Sequence, residues 1–182
     1  MSDRYGRTVR LTGTAILAAL VIVFDYTLKF SGLKIPFPWL PFLKFDFTGV
    51  PIALSFLLYG LPSGCFTSAV ACLGIIARSG DVISSLMKSL AEFSTVFGMA
   101  LGIYLPHRWR MLFSMVSGLA LRVTAMSLLN LVVLPNYYGM PYSVVFGLIP
   151  MIGIFNVLQG GITVLVGYFI YEAYTKRTQA NK

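Results

Sequence analysis

Four ionisable side chains, Asp25, Lys88, Glu92 and Arg122, stand inside stretches of sequence that are otherwise almost wholly apolar. A charge in such a stretch is costly to bury, so it faces a protein interior or an aqueous cavity, where it finds a partner or holds a ligand. Lys88 and Glu92 are four residues apart and share one helical face, which lets them pair with each other. Depth allows another arrangement. At ~1.5 Å per residue, Asp25 and Lys88 fall in the outer third of their segments and Glu92 and Arg122 nearer the middle, so two cross-helix pairs can form. Glu92 and Arg122 read as fasteners of a bundle, whereas for Lys88 a ligand role is equally open.

Carboxamides supply a second kind of chemistry. Asn130 and Asn156 lie near the outer ends of two apolar segments, and Gln159 follows Asn156 by one helical turn. Each carboxamide offers an acceptor and donors and is costly to bury unless they find partners, so the group points to a polar site opening outward. The plainer reading is that Asn130 and Asn156 bond to backbone near the Pro135 break.

Other chemistries lack their residues. The chain has one histidine, His107, and neither HExxH nor a Walker GxxxxGK[ST] run, so a histidine-based metal site and ATP hydrolysis by the chain itself are excluded. No catalytic residues, metal ligands or resident cofactor are expected, because paired catalytic carboxylates and a nucleophile elbow are also missing. Energy for any transport must come from a partner or an ion gradient.

The elements that must position these residues are membrane helices. Of the 182 residues 57% are hydrophobic and 11% charged, with mean hydropathy +0.81, whereas soluble domains carry roughly 25% charged residues. The net charge of +8 does not indicate nucleic-acid binding, which needs basic residues gathered on the surface of a soluble core. Topology accounts for it better. Arg4, Arg7 and Arg10, the loop 106–110, and Lys176, Arg177 and Lys182 are three basic clusters, and putting all of them inside requires an even number of crossings.

The expected fold is therefore an all-α integral membrane protein, one domain over 1–182, with six transmembrane helices at about 11–30, 48–59, 62–78, 82–105, 111–134 and 145–174. It is multi-pass in the cell membrane with both termini cytoplasmic. The first segment lacks a small-residue cleavage pattern and is expected to be retained. Cys65 and Cys72 lie about 10 Å apart along one helix, too far for a disulfide within the chain. Ala15 and Ala19 form a small-xxx-small step that lets another helix approach, and Gly98 and Gly102 a GxxxG step suited to internal packing.

Between the first two segments, residues 31–47 read as a lid. From Ile35 to Pro51 prolines stand at 36, 38, 41 and 51, stiffening a segment that is neither a helix nor a central strand. Phe37, Trp39, Phe42, Phe45 and Phe47 can cover an apolar ligand or lie at a membrane interface, with Lys44 and Asp46 among them.

The string FPWLPFLKFDFTGVP, from Phe37 to Pro51, resembles the first external loop of riboflavin-binding S components of energy-coupling-factor (ECF) vitamin transporters, whose pattern is close to FPxxPFLKxDxSDxP. LLNLVVLP, with Asn130, is similar to the end of that family's fifth helix, and FNVLQGG, with Asn156, to an FNxxKG run in its sixth. Gln159 stands where the family has lysine. The resemblance implies a six-helix subunit that captures a vitamin from outside and docks on a T component carrying two ATPase subunits. It implies that Ala15 and Ala19 face the T component and that Asn130 and Asn156 contact the isoalloxazine ring. The expected ligand, riboflavin or a related flavin, is then held by Asn130, Asn156 and Gln159 at its pyrimidine edge. Lys44, Asp46 and Lys88 are placed toward the ribityl chain, and Phe42 covers the ligand from the lid. The alternatives are another vitamin in the same fold, or an ion-coupled secondary transporter, for which no inverted repeat is visible.

Overall fold

The computed structural model describes residues 2–103 and 109–180, with side chains from 6–103 and 109–178. In chain order the elements are α1 (Ser2–Phe30), β1 (Ile35–Phe37), β2 (Leu40–Phe45), α2 (Gly49–Tyr59), α3 (Leu61–Ser79), α4 (Val82–Gly102), α5 (Arg110–Asn136) and α6 (Tyr142–Ala180). α1 begins earlier than expected and α6 runs past both expected ends; most of the loop 106–110 lies outside the described residues.

Among the described residues six helices form, but they are not six equal spans. Of these, the ones long and apolar enough to cross a membrane are α1, α3, α5 and α6. α2 has 11 residues, about 16 Å of helix against a ~30 Å hydrocarbon layer, so it cannot cross by itself. α4 has 21 residues, but Lys88, Glu92 and its many hydroxyls lower its hydropathy.

The bundle is all-helical, and the lid, neither helix nor central strand, is a two-stranded β-hairpin. β1 and β2 pair antiparallel, Ile35 opposite Phe45 and Pro36 opposite Lys44, with an irregularity between Pro36 and Phe37. In a two-stranded sheet each strand keeps a free edge, so Pro36 and Pro41 can sit there without interrupting a central ladder.

Glycine and proline set the helix junctions. Gly60 has φ +88° and closes α2 by donating its N–H to Phe56 O at 2.7 Å, and proline follows in the first turn of α3. Gly80, at φ +69°, ends α3 in the left-handed region. Asp81 then caps α4, its carboxylate accepting from Ser84 N at 3.0 Å. Between α4 and α5 the backbones nearly touch: a Cβ on Gly98 would lie 2.5 Å from Ser117 O. Ser114 and Ser117 donate across this seam to Met99 O and Gly98 O, each at 2.8 Å. The GxxxG step is thus internal packing, as expected.

α5 packs between α4 and α6, α3 against α4, and α2 against α6, while α1 lies on α2 and α3. One buried cluster, with Val21, Ile52, Phe56, Val96, Met99 and Val164, joins α1, α2, α4 and α6. A second lies under the hairpin, where Phe37 and Leu40 meet Leu134 of α5 and Val145, Ile152 and Phe155 of α6. Large apolar side chains such as Leu11, Ile16, Phe66, Val116 and Phe169 are exposed on the outer helix faces, as a lipid-facing surface requires.

Candidate functional site

The hairpin is held at both of its ends by charge. Lys34 precedes β1 and Asp46 follows β2, and both reach the same cluster on α1, α3 and α4. Lys34 Nζ lies 2.5 Å from Asp25 Oδ1 and 3.8 Å from Asp46 Oδ2. Arg78, in the last turn of α3, donates from Nε to Asp25 Oδ2 at 2.6 Å. Lys88 donates to Asp46 Oδ2 and approaches Asp25 Oδ1 to 3.6 Å. Three cations and two carboxylates therefore bind the base of the lid to three helices.

The electrostatics follow from that geometry. Burial pushes the Asp46 carboxyl up, but the charge and hydrogen bond of Lys88, then Thr48 and Lys34, outweigh it and hold the group below its ordinary value. The Lys34 ammonium is pushed down, first by burial and then by the like charge of Lys88, against the pull of Asp25 and Asp46. Asp46 Oδ1 also accepts from Thr48 N at 3.1 Å and from Thr48 Oγ1 at 2.6 Å. This turns the chain from the hairpin into α2.

Gln159 fastens the same point from the opposite side. Its Nε2 donates to Asp46 O at 2.7 Å and its Oε1 accepts from Asp46 N at 3.3 Å. The two ends of the carboxamide are thereby engaged by one residue of lid backbone.

One turn below Lys88, a second polar layer crosses α4, α5 and α6. Arg122 is 3% exposed. Its Nη1 donates to Glu92 Oε1 at 2.9 Å and to Thr95 Oγ1 at 3.1 Å, and its Nε donates to Asn156 Oδ1 at 3.2 Å. Asn156 Nδ2 donates to Ile152 O at 2.9 Å, and Asn130 Nδ2 to Met126 O at 2.7 Å. Glu92 Oε2 and Thr163 Oγ1 are buried without hydrogen-bond partners, and both face Gly49, the first residue of α2.

The expected cross-helix pairs thus both form, Lys88 with Asp25 and Arg122 with Glu92. Lys34 and Arg78 belong to the first cluster without having been picked out from the sequence. Asn130, Asn156 and Gln159 are all buried, at 5%, 3% and 3% exposure, and the first two bond backbone one turn back on their own helices, Met126 O and Ile152 O, and not at the Pro135 break. Phe42 and Lys44 do not join them. Both are exposed on the outer face of β2, whereas Phe37 and Phe45 face inward with ring centres 5.5 and 5.0 Å from that of Phe155.

On α1, Ala15 and Ala19 are exposed while Ala18 between them is buried. The small-residue step is therefore available to a partner. An apolar groove of about 540 Å³ lies elsewhere, bordered by Val23, Phe24, Phe47, Val50 and Ile170, and holds none of the polar groups above.

Among solved structures, one described as "Structure and mechanism of the S component of a bacterial ECF transporter" matches this chain with a TM-score of 0.79. The match covers 94% of this chain and 98% of the other at 24% identity. No protein-family model and no curated protein matches. The chain therefore has the fold of that S component over nearly its whole length.

Proposed function

We propose that this chain is the substrate-binding subunit of an ECF-type transporter in the cell membrane, capturing riboflavin or a closely related flavin from outside. The observation that carries the reading is the cover. A hairpin latched by Lys34 and Asp46 packs Phe37 and Leu40 onto the parts of α5 and α6 that carry Asn130 and Asn156. An apolar ceiling over carboxamides suits a flat ring system with one polar edge, since each carboxamide offers both a donor and an acceptor.

In this reading both termini are cytoplasmic and the ligand enters beneath the hairpin. The exposed Ala15–Ala19 face of α1 docks on a T component, with ATP hydrolysis in two partner ATPases. A second reading, a different vitamin in the same fold, is favoured by Gln159, whose carboxamide is engaged by the lid backbone.

Quenching of riboflavin fluorescence by the purified protein tests the proposal. Saturable quenching is expected at micromolar ligand or below. Asn130→Ala and Asn156→Ala should each weaken it about tenfold, the equivalent of ~1.4 kcal/mol per lost contact. No saturable quenching by the unmutated protein would sink the flavin assignment.

A further inference from the structure

Arg122 has no place in the ligand set above, yet it determines what Asn156 can offer. A guanidinium carries hydrogen-bond donors and no acceptor. Arg122 Nε points at Asn156 Oδ1 from 3.2 Å, and Asn156 Nδ2 gives one hydrogen to Ile152 O at 2.9 Å. Turning the amide over would set N–H against N–H on the arginine side and oxygen against oxygen on the backbone side. The orientation is locked. Asn156 keeps its second N–H free, while its oxygen is turned to Arg122 with one of its two lone pairs already engaged.

Arg122 is itself held on three sides. Glu92 Oε1 and Thr95 Oγ1 both accept from Nη1, and the Thr95 hydroxyl is already donating to Ala91 O at 2.8 Å, so it can only accept from the guanidinium. Gly160 completes the seat, since a Cβ there would lie 2.8 Å from Arg122 Cδ. Asn130 differs. Among the described residues it makes one bond, from Nδ2 to its own helix backbone, and no arginine engages its oxygen, so it keeps both lone pairs to present.

We infer that Arg122, braced by Glu92, is a positioning residue that fixes Asn156 as a hydrogen-bond donor, so that the site selects ligands presenting a carbonyl or other acceptor to Asn156. This rests on the reading of Asn156 as a ligand contact. It narrows the substrate class to rings whose polar edge places an acceptor at α6 and a donor N–H toward α5, as an imide does.

The test pairs ligand edges with variants. Riboflavin and its 2-imino and 4-imino analogues, each with one carbonyl oxygen replaced by NH, are titrated against the unmutated protein, Arg122→Lys, and the double variant Glu92→Met with Arg122→Met. The double variant leaves no buried charge unpaired and is expected to fold where a single removal would not. The unmutated protein should prefer riboflavin over at least one analogue by about tenfold or more, one well-made hydrogen bond. Arg122→Lys should keep most of that preference, and the double variant should bring it below about threefold because the amide is free to turn. A uniform loss of affinity for all three ligands in the double variant would assign Arg122 a structural role alone and overturn the inference.

A ligand-free measurement separates this from failure of the flavin reading. With asparagine labelled with 15N, the Asn156 side-chain amide should exchange its protons slowly in the unmutated protein and markedly faster in the double variant. Equal exchange in both overturns the lock whichever ligand the protein binds.

Discussion

Gln159 and Asp46, 113 residues apart in the chain, meet side chain to backbone: Gln159 Nε2 donates to Asp46 O at 2.7 Å while Asp46 N donates to Gln159 Oε1 at 3.3 Å. The pair ties the foot of the hairpin to α6 with the two-point geometry of a strand pairing. Gln159 therefore fastens the foot of the hairpin to α6.

Gln159→Ala should speed ligand release more than it slows capture. Removing the side chain leaves Asp46 N and O buried without that partner, at a cost of roughly 1–3 kcal/mol for each unsatisfied group. Stopped-flow fluorescence should show the dissociation rate rising about tenfold or more, with the association rate within about threefold. Gln159→Glu should behave similarly, because a carboxylate cannot donate to Asp46 O. A pure loss in association rate would mean that Gln159 does not latch the lid.

Breaking the Arg122–Glu92 pair from one side should be worse than removing both partners. Arg122→Met leaves the Glu92 carboxylate in a site where its residue is 2% exposed, and the expected loss is roughly 3–5 kcal/mol. Thermal unfolding in detergent should place both single variants, Arg122→Met and Glu92→Met, well below the double variant.

How much of this was legible in the sequence depends on what made each residue unusual. Asp25, Lys88, Glu92 and Arg122 stood out because a charge in an apolar run is costly, and counting depth along the helices was enough to match partners now 3.6 and 2.9 Å apart. Lys34 and Arg78 gave no such signal, since a basic residue at the end of an apolar segment is ordinarily solvated. The α2–α3 break was visible at Gly60 and Pro62. The shortness of α2 was visible too, but the even count asked for by the three basic clusters made it one of six crossings. The hairpin was hidden by its own prolines, which argue against strand unless the strand has a free edge. The burial of Asn130 and Asn156 followed from composition. Their partners Met126 O and Ile152 O lie four residues back on their own helices, a bond the side chain makes only once folding closes off water.

Ala15 and Ala19 should tolerate bulk without loss of ligand binding. Both are exposed on α1. Ala15→Trp with Ala19→Trp is expected to leave riboflavin quenching within about twofold and to abolish uptake in cells, because close helix approach needs small residues. Intact uptake would show that the T component docks elsewhere.

The lid latch should hold through neutral and mildly acidic pH. Because the Asp46 carboxyl is held below its ordinary value of 3.8, it contributes stability that is present above that pH and is lost as pH falls through the lowered value. The unfolding midpoint should therefore drop only below about pH 4. In Asp46→Asn part of that acid dependence should vanish, and an unchanged acid profile would remove Asp46 from the latch.

Two glycines act as notches for the buried ion pair, and a third beside them provides the control. A Cβ on Gly49 would lie 2.6 Å from Glu92 Oε2 and 2.5 Å from Thr163 Oγ1, and one on Gly160 would lie 2.8 Å from Arg122 Cδ and from Leu119 Cδ2. Each distance is well inside van der Waals contact, so alanine at either site must push one partner of the pair away from the other. Overpacking of this kind typically costs about 1–3 kcal/mol. Gly161, the next residue on α6, has nothing within 4 Å of its would-be Cβ. It lies within a helix, where alanine is favoured over glycine by about 0.8–1.0 kcal/mol. Gly49→Ala and Gly160→Ala should thus lower the unfolding temperature and weaken riboflavin binding through Asn156, while Gly161→Ala should raise it and leave binding alone. If Gly160→Ala proves as stabilising as Gly161→Ala, Arg122 does not lie across α6 at that notch, and the positioning of Asn156 loses its support.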